Sequence, residues 1–351
     1  MPSTVVGLDI GRTAVRAVEL RQRGREATLR RHGSVPLPRG TVESGVVADP
    51  DEVTDACRRL WKEGRFSSRE VRLGISSGSV LVRQIELDWM PPADLKRALR
   101  YQVADLLPVA VDDANLDHVL LGETTRTDET GQPRRMVRIL LVATARGAVD
   151  ELVRAVRAAG LRPTTADLVP LALVRAAAAV GREAGPSHTE AVIDIGADKV
   201  AVAVHTDGTP HFVRVVAGIG GDGLTQALAT TTGLHWDEAE RLKHGAAREH
   251  EPTLRAAAAR LVQEIGATLD FWADSDRERQ LRSVVLTGAG GTHPAFAQEC
   301  ARTLGLPVTP LTLGSLVDGA VSPGRRKGDA VTAAPSDDLV VPAALCLGVP
   351  A

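Results

Sequence analysis

Aromatic side chains are scarce. The 351 residues include four Trp, one Tyr and four Phe, too few for the stacking platforms that grip single-stranded nucleic acid. A dominant charge sign is also missing: 42 Lys and Arg stand against 44 Asp and Glu, for a net charge of -2. That excludes generic coating of nucleic acid, which draws on a basic surface. No apolar run reaches the length of about 18 residues that a bilayer span needs. The best candidates, 168–174 and the stretch from 339, are interrupted by Arg175, Pro342 and Pro350. The opening Met1-Pro2-Ser3-Thr4 has no basic stretch before an apolar core, so no signal peptide is expected. Cysteine is limited to Cys57, Cys300 and Cys346, odd in number and far apart. Neither metal-ligand spacing nor a disulfide framework is present, and the three read as small core residues of a cytosolic protein.

What remains is a globular mix of 44% hydrophobic and 25% charged residues. At roughly 150 residues per domain, the length suggests two domains. An internal repeat agrees. Val6-Gly7-Leu8-Asp9-Ile10-Gly11 opens the chain, and Val192-Ile193-Asp194-Ile195-Gly196 returns 185 residues later. Both run on into alternating apolar stretches, so two lobes of similar design are expected.

The coarse reading is α/β. Strands are expected over 4–8, 15–22, 27–35, 71–75 and 80–87, with a helix after Asp49-Pro50-Asp51. A helix over 94–107 is stopped by Pro108, strands at 116–121 and 138–144 flank a polar tip at 124–135, and a helix follows over 148–159. Residues 83–162 therefore read as a small β-α-β-β-α unit. A helix over 168–180 and a Gly-Pro hinge at 182–188 lead to the second lobe. There, strands are expected at 191–195, 200–205, 212–216 and 283–286, and helices at 222–232, 237–244, 253–273 and 294–304, with Asp222 as an N-cap. Residues 322–337 read as a surface loop.

The glycines carry the chemistry. Each Asp-Ile-Gly follows a strand, and the Gly permits a tight turn whose N–H groups converge on an anion. The Asp at the strand end can hold a hydrated Mg²⁺. One such turn is an ordinary hairpin; two, matched in two lobes, would clamp a polyphosphate. Thr13 adds a hydroxyl to the first turn. Gly288-Ala289-Gly290-Gly291 sits between a strand and a helix, where a backbone can approach a phosphate or ribose. It lacks the Lys-Ser/Thr ending of a P-loop, and a tight strand–helix turn explains it equally well. Gly218-Ile219-Gly220-Gly221 carries the same ambiguity. Only five lysines occur, which draws attention to Lys199 and Lys243. Glu240 and Lys243 share a helix face and could bracket a ribose, or form a solvated ion pair.

These elements, in this order, resemble the actin-like ATPase superfamily, and within it the PilM family of type IV pilus assembly proteins, itself similar to the cell-division protein FtsA. The resemblance rests on Val6–Gly11 with Val15-Arg16-Ala17-Val18-Glu19-Leu20, on Arg83-Gln84-Ile85-Glu86-Leu87 with Met90-Pro91 and Leu107-Pro108, and on Val192–Gly196. It continues through Phe212-Val213-Arg214, Gly220-Gly221, Leu224-Thr225, Glu238–Lys243 and Gly288–Gly291. It implies a two-lobed, duplicated ribonuclease H-like fold with an inserted subdomain. Subdomain 1A would comprise 1–82, 163–187 and 337–351; 1C would be 83–162; 2A would comprise 188–222 and 284–336; 2B would be 223–283. ATP with Mg²⁺ would lie between the lobes. Asp9, Gly11 and Thr13 would face it from one side and Asp194 and Gly196 from the other, with Asp9 and Asp194 holding Mg²⁺ through water. Gly220 and Gly221 belong to the same implied set, and Glu240, Lys243, Gly288, Gly290 and Gly291 would border the nucleoside. The implied partner is the cytoplasmic N-terminal tail of PilN, a single-span inner-membrane protein, held near the 1A/1C junction. The resemblance also admits contact with the pilus motor ATPase and self-association. It implies no nucleic-acid partner, and places the protein in the cytoplasm at the inner face of the membrane.

Two places depart from the family pattern. Asp198 and Lys199 stand where hydroxyl residues usually follow the second turn, and Arg12 replaces a small residue in the first. Asp198 would repel a phosphate unless Mg²⁺ or Lys199 compensates. Arg12 would either bind phosphate or fill the pocket. ATP binding with weak or absent hydrolysis is thus expected. The alternatives are a sugar-type kinase of the same fold, with Asp194 as the formal base candidate, and a nucleotide-free scaffold.

Overall fold

The computed structural model describes residues 3–24, 26–107, 109–127, 131–181, 188–245, 248–291, 293–317 and 336–347. The first lobe opens with a meander, β1 (Ser3–Ile10), β2 (Ala14–Arg23) and β3 (Glu26–Pro36). A two-residue-per-arm hairpin follows, β4 (Val42–Glu43) and β5 (Val46–Val47). Helix α1 (Pro50–Gly64) then leads to β6 (Glu70–Ile75). The Asp49 carboxylate caps α1 by accepting from the Glu52 N–H at 3.0 Å, and Arg65 ends the helix in the left-handed region. The inserted unit holds β7 (Leu81–Asp88), α2 (Pro92–Gln102), β8 (Ala114–Thr127), β9 (Pro133–Ala145) and α3 (Arg146–Ala158). The chain returns through β10 (Arg162–Leu168) and α4 (Val169–Val180). In the second lobe come β11 (Thr189–Ile195), β12 (Lys199–Thr206), β13 (Thr209–Ala217), α5 (Asp222–Thr232), α6 (Trp236–His244) and α7 (Glu251–Ser275). The chain then forms β14 (Ser283–Thr287), α8 (Pro294–Leu304), β15 (Val308–Pro310), α9 (Leu313–Leu316) and α10 (Val340–Cys346).

The repeat is visible in the topology. The first sheet runs β3-β2-β1-β6-β10 and the second β13-β12-β11-β14-β15. In each, three antiparallel strands come first and two parallel strands are added beyond the strand that carries the Asp-Ile-Gly. Parallel pairing needs a crossover, usually a helix, and α1, α7 and α8 occupy those connections. Helices α4 and α10 fill the space between the sheets. Their buried Val169, Ala172, Leu173, Ala176, Val340 and Leu345 pack with Val18 and Leu20 of one sheet and Val192 and Val213 of the other. The packing is close: a Cβ on Gly7 would lie 1.9 Å from the Pro342 carbonyl oxygen. A third sheet, β7-β9-β8, seats α2 on one face through Leu95 and Leu99, with Val103 just beyond the helix in the same core.

Several expectations change. Helix α2 stops at Gln102 and gives way to a 3-10 turn, Ala104–Leu106, as Val103 turns into the core; Pro108 lies outside the described residues. The expected tip at 124–135 is mostly strand, since β8 and β9 pair as far as Thr127 and Pro133. Strand β10 was not expected; it is an edge strand, where Pro163 forfeits no ladder bond inside the sheet. Helix α3, grouped by sequence with 83–162, buries Leu152, Ala155 and Val156 with α1 in the core of the first sheet. Gly221, not Asp222, holds the N-cap position of α5; the Asp222 carboxylate turns away to an arginine. Residues 182–187 of the expected hinge and 318–335, covering most of the expected loop, lie outside the described residues.

Candidate functional site between the lobes

The two Asp-Ile-Gly turns close in the same way. The Gly11 N–H donates to the Ala14 carbonyl at 3.0 Å, and the Gly196 N–H to the Lys199 carbonyl at 2.9 Å. Each turn joins a central strand to its antiparallel neighbour, so both point into the cleft. They line one cavity of about 500 Å³ with Asp9, Arg12, Thr13, Asp194, Gly221, Glu240, Lys243, Gly288 and Gly290. A neighbouring cavity of about 440 Å³ shares Gly221, Lys243 and Gly290 and adds Leu224, His293 and Phe296.

The glycine loops pin the second turn. The Gly221 and Asp222 N–H groups donate to the Gly196 and Ala197 carbonyls at 2.9 and 2.8 Å, and the Gly290 N–H donates to Ile195 at 2.9 Å. A Cβ on Gly288 would stand 2.4 Å from Asp194 Oδ1, and one on Gly291 2.3 Å from the Thr287 carbonyl oxygen. Gly220 and Gly291 are thus packing positions rather than cavity walls. A Cβ on Gly220 would meet the Gly196 and Ala197 carbonyls at 2.5 Å.

Two carboxylates share the floor. Burial, then the charge of Asp9, pushes the Asp194 carboxyl up to about 6, against the pull of Lys199 and Arg16. Burial likewise raises Asp9, again opposed by Arg16 and Lys199. Lys199 therefore acts on the site through its charge and is not part of the cavity wall. Opposite, the Lys243 ammonium is buried and donates to the Glu240 carboxylate at 2.8 Å, the Thr225 hydroxyl at 2.9 Å and the Gly221 carbonyl at 3.4 Å. Burial would raise the Glu240 carboxyl, but the bonds from Lys243 and Thr225 outweigh it and hold it low. The Glu240–Lys243 pair, left by the sequence between a ribose bracket and a solvated ion pair, is a fixed wall of the cavity. Ser76, also in the cavity lining, keeps a buried hydroxyl without a hydrogen-bond partner among the described residues.

Sequence reasoning missed Arg16 and Asp338. Arg16 is the cross-strand partner of Asp9, a register that the hairpin spacing already contained. Its guanidinium donates to the Thr13 hydroxyl at 3.1 Å and to Asp338 at 2.9 Å. Asp338 carried no local signal. Asp198 is not aimed at the space between the turns: it accepts the Ser44 N–H at 2.6 Å and lies 3.4 Å from Arg12. Among the described residues, no helix is long and apolar enough to cross a membrane.

Two buried carboxylates, raised by burial more than Arg16 and Lys199 lower them, suit a hydrated dication. The glycine positions let an anion or a flat ring system come close to the main chain, while the N–H groups of Gly11, Gly196, Gly221 and Gly290 are spent within the turns and loops.

A family model described as type IV pilus assembly protein PilM matches residues 7–314. A solved structure described as the PilM-PilN type IV pilus biogenesis complex is similar to this chain at 27% identity, with a TM-score of 0.81, covering 98% of this chain and 97% of that chain. The ethanolamine utilization protein EutJ from Carboxydothermus hydrogenoformans is 16% identical with a TM-score of 0.58, over 99% and 90% of the two chains. MreB5 of Spiroplasma citri bound to ADP is 11% identical with a TM-score of 0.51, over 97% and 94%. At such identities the last two speak for the fold alone, and the fold is the two-lobed actin-like ATPase fold.

Proposed function

Because the chain belongs to the PilM family of type IV pilus assembly proteins, we propose that it binds ATP with Mg²⁺ between its lobes and recruits the tail of a PilN-like inner-membrane protein. The observation that carries the nucleotide reading is the meeting of both Asp-Ile-Gly turns, with their opposed carboxylates, in one cavity. Asp9 and Asp194 would hold Mg²⁺ through its water. Gly11, Thr13 and Gly196 would face the phosphates. Glu240, Lys243 and the loop through Gly288 and Gly290 would border the nucleoside, in the adjoining cavity that His293 and Phe296 line. Bound there, Mg²⁺ supplies charge neutralisation for the phosphates. The chain itself supplies orientation and a site partly closed to water. Hydrolysis is weak or absent in this reading. The second turn offers no hydroxyl, and Asp198 beside it is tied to the first lobe.

The PilN assignment is supported by the similar PilM, which stands in a complex with PilN. The tail would dock near the junction of the first sheet with the β7-β9-β8 unit, holding the protein at the cytoplasmic face of the inner membrane. Calorimetry tests the first half: saturable Mg-ATP binding by the wild type, lost in Asp9→Asn, is the expected result, and heat-silent titration of the wild type would refute it. Pull-down with a synthetic PilN-like tail tests the second, and failure to bind with and without nucleotide would refute it.

A further inference from the structure

Arg12 follows the glycine of the first turn, yet its side chain leaves the first lobe. The Nε donates to Asp222 Oδ2 at 2.8 Å, and a terminal nitrogen lies 3.4 Å from Asp198 Oδ2 and 3.8 Å from Glu43 Oε1. The Arg12 side chain is 15% exposed and those of Asp198 and Asp222 12% and 23%, so water weakens these two contacts little, whereas Glu43 is 64% exposed and its contact is screened. Asp198 is held a second time from the first lobe, by the Ser44 N–H. Ser44 belongs to a strap, residues 37–47, that carries β4 and β5. The strap rests on the main chain of Ser76 and Ser77, where a Cβ on Gly45 would stand 1.8 Å from the Ser76 oxygen. Its Arg39 guanidinium lies 3.8 Å from the Trp236 ring centre. Turn and strap together thus grip three elements of the second lobe: the β11–β12 turn, the start of α5 and the start of α6.

The charges around Arg12 are unbalanced. One guanidinium faces the carboxylates of Asp198, Asp222 and Glu43, while Asp9 and Asp194 share its cavity. A planar guanidinium fork suits phosphate as well as carboxylate, and Arg12 lines the cavity beside Gly11 and Thr13. It cannot satisfy both acceptors with the same N–H groups. We propose that Arg12 is a latch shared between two acceptors: without ligand it ties the lobes through Asp222 and Asp198, and an entering polyphosphate withdraws it from them. The inference rests on the nucleotide reading and adds a regulation to it. Linkage makes the coupling reciprocal, so whatever strengthens the tie weakens polyphosphate binding by the same factor. A ligand without phosphates feels none of it.

The test is a double-mutant cycle with two probes. Mg-ATP and adenosine are titrated by calorimetry into the wild type, Arg12→Ala, Asp222→Asn and the double variant. Asp222→Asn is expected to tighten Mg-ATP binding about five- to tenfold, the scale of one charge-assisted bond set free. Adenosine binding stays unchanged, and the gain vanishes when Arg12 is already Ala. A gain that persists without Arg12 means simple repulsion by Asp222 and overturns the sharing, as does no gain at all. Asp198→Asn repeats the test if Asp222→Asn is unstable. Hydrogen exchange of residues 42–47 in the ligand-free proteins reads the tie directly. Arg12→Ala should speed exchange of the Ser44 amide by about tenfold or more; unchanged protection overturns the latch. If Mg-ATP fails to bind all four proteins, the nucleotide reading and the phosphate half fall together, and exchange alone decides whether Arg12 ties the lobes.

Discussion

Replacing Asp194 by Asn should stabilise the ligand-free protein while disabling its site. The carboxyl lies at the end of β11, 8% exposed, with Asp9 across the cleft. In the unfolded chain it ionises near 3.8, and in the folded protein at about 6. The folded state therefore holds the extra proton between those values. The stability contributed by the protonated acid is complete below about 3.8 and is lost as the pH rises through about 6. Each tenfold change in proton affinity is worth about 1.4 kcal/mol, so an ionised Asp194 costs the folded state on the order of 1.5–3 kcal/mol at pH 7. Asparagine keeps the shape, removes the charge and can donate to Asp9. For a chain of 351 residues, that gain raises the melting temperature by about 2–4 °C. The assay is thermal unfolding of both proteins in a chelator, from pH 4 to 8. The gap should be widest above pH 6 and narrow towards pH 4. Added Mg²⁺ should raise the wild type more than the variant. A variant no more stable than the wild type at pH 7, or a gap independent of pH, would refute the account of two buried carboxylates raised by burial and by each other.

Three further outcomes follow from the packing and the charges. Gly7→Ala should destabilise the protein by about 1–3 kcal/mol or more, because the new methyl would occupy the place of the Pro342 carbonyl and push α10 off the first sheet; urea unfolding measures it. Lys243→Ala should cost about 1–3 kcal/mol by leaving Glu240 and Thr225 short of a partner, and should abolish adenosine binding; an effect on neither would separate this wall from the nucleoside. Cys57, Cys300 and Cys346 are buried and their thiols are pushed up by burial to about 12, 11 and 12. A thiol reagent at pH 8 should therefore label none of them in the native protein and all three after unfolding, and rapid native labelling would contradict this core.

The two lobes were legible because their signatures are local. Strand, Asp-Ile-Gly and antiparallel return lie within about 20 consecutive residues in each half, and a Gly closing a short return between two strands is a local signal. The glycine loop at 288–291 was legible for the same reason: no Cβ fits between β14 and the carboxylate of Asp194. The grouping of β7, β8 and β9 with α2 was legible, but not the allegiance of α3. A helix shows its apolar stripe in sequence and leaves open which sheet will cover it. Strand β10 was hidden because an edge strand needs few apolar residues and tolerates a proline.

Charge partners divide in the same way. The pairing of Glu240 with Lys243 is a matter of helical spacing and could be read directly, whereas its burial could not. The sequence by itself determined the duplicated α/β design, the paired Asp-Ile-Gly turns and the residues at each strand end, because backbone sterics and periodicity act over a few residues. Only the tertiary structure decided that Asp9 and Asp194 share a cavity, that Arg16 is fixed by Asp338, and that Arg12 crosses to Asp222. Those contacts span between 185 and 322 positions of chain. They exist only once α4 and α10 have packed the two sheets together, and no local rule encodes which charge will be standing on the other side.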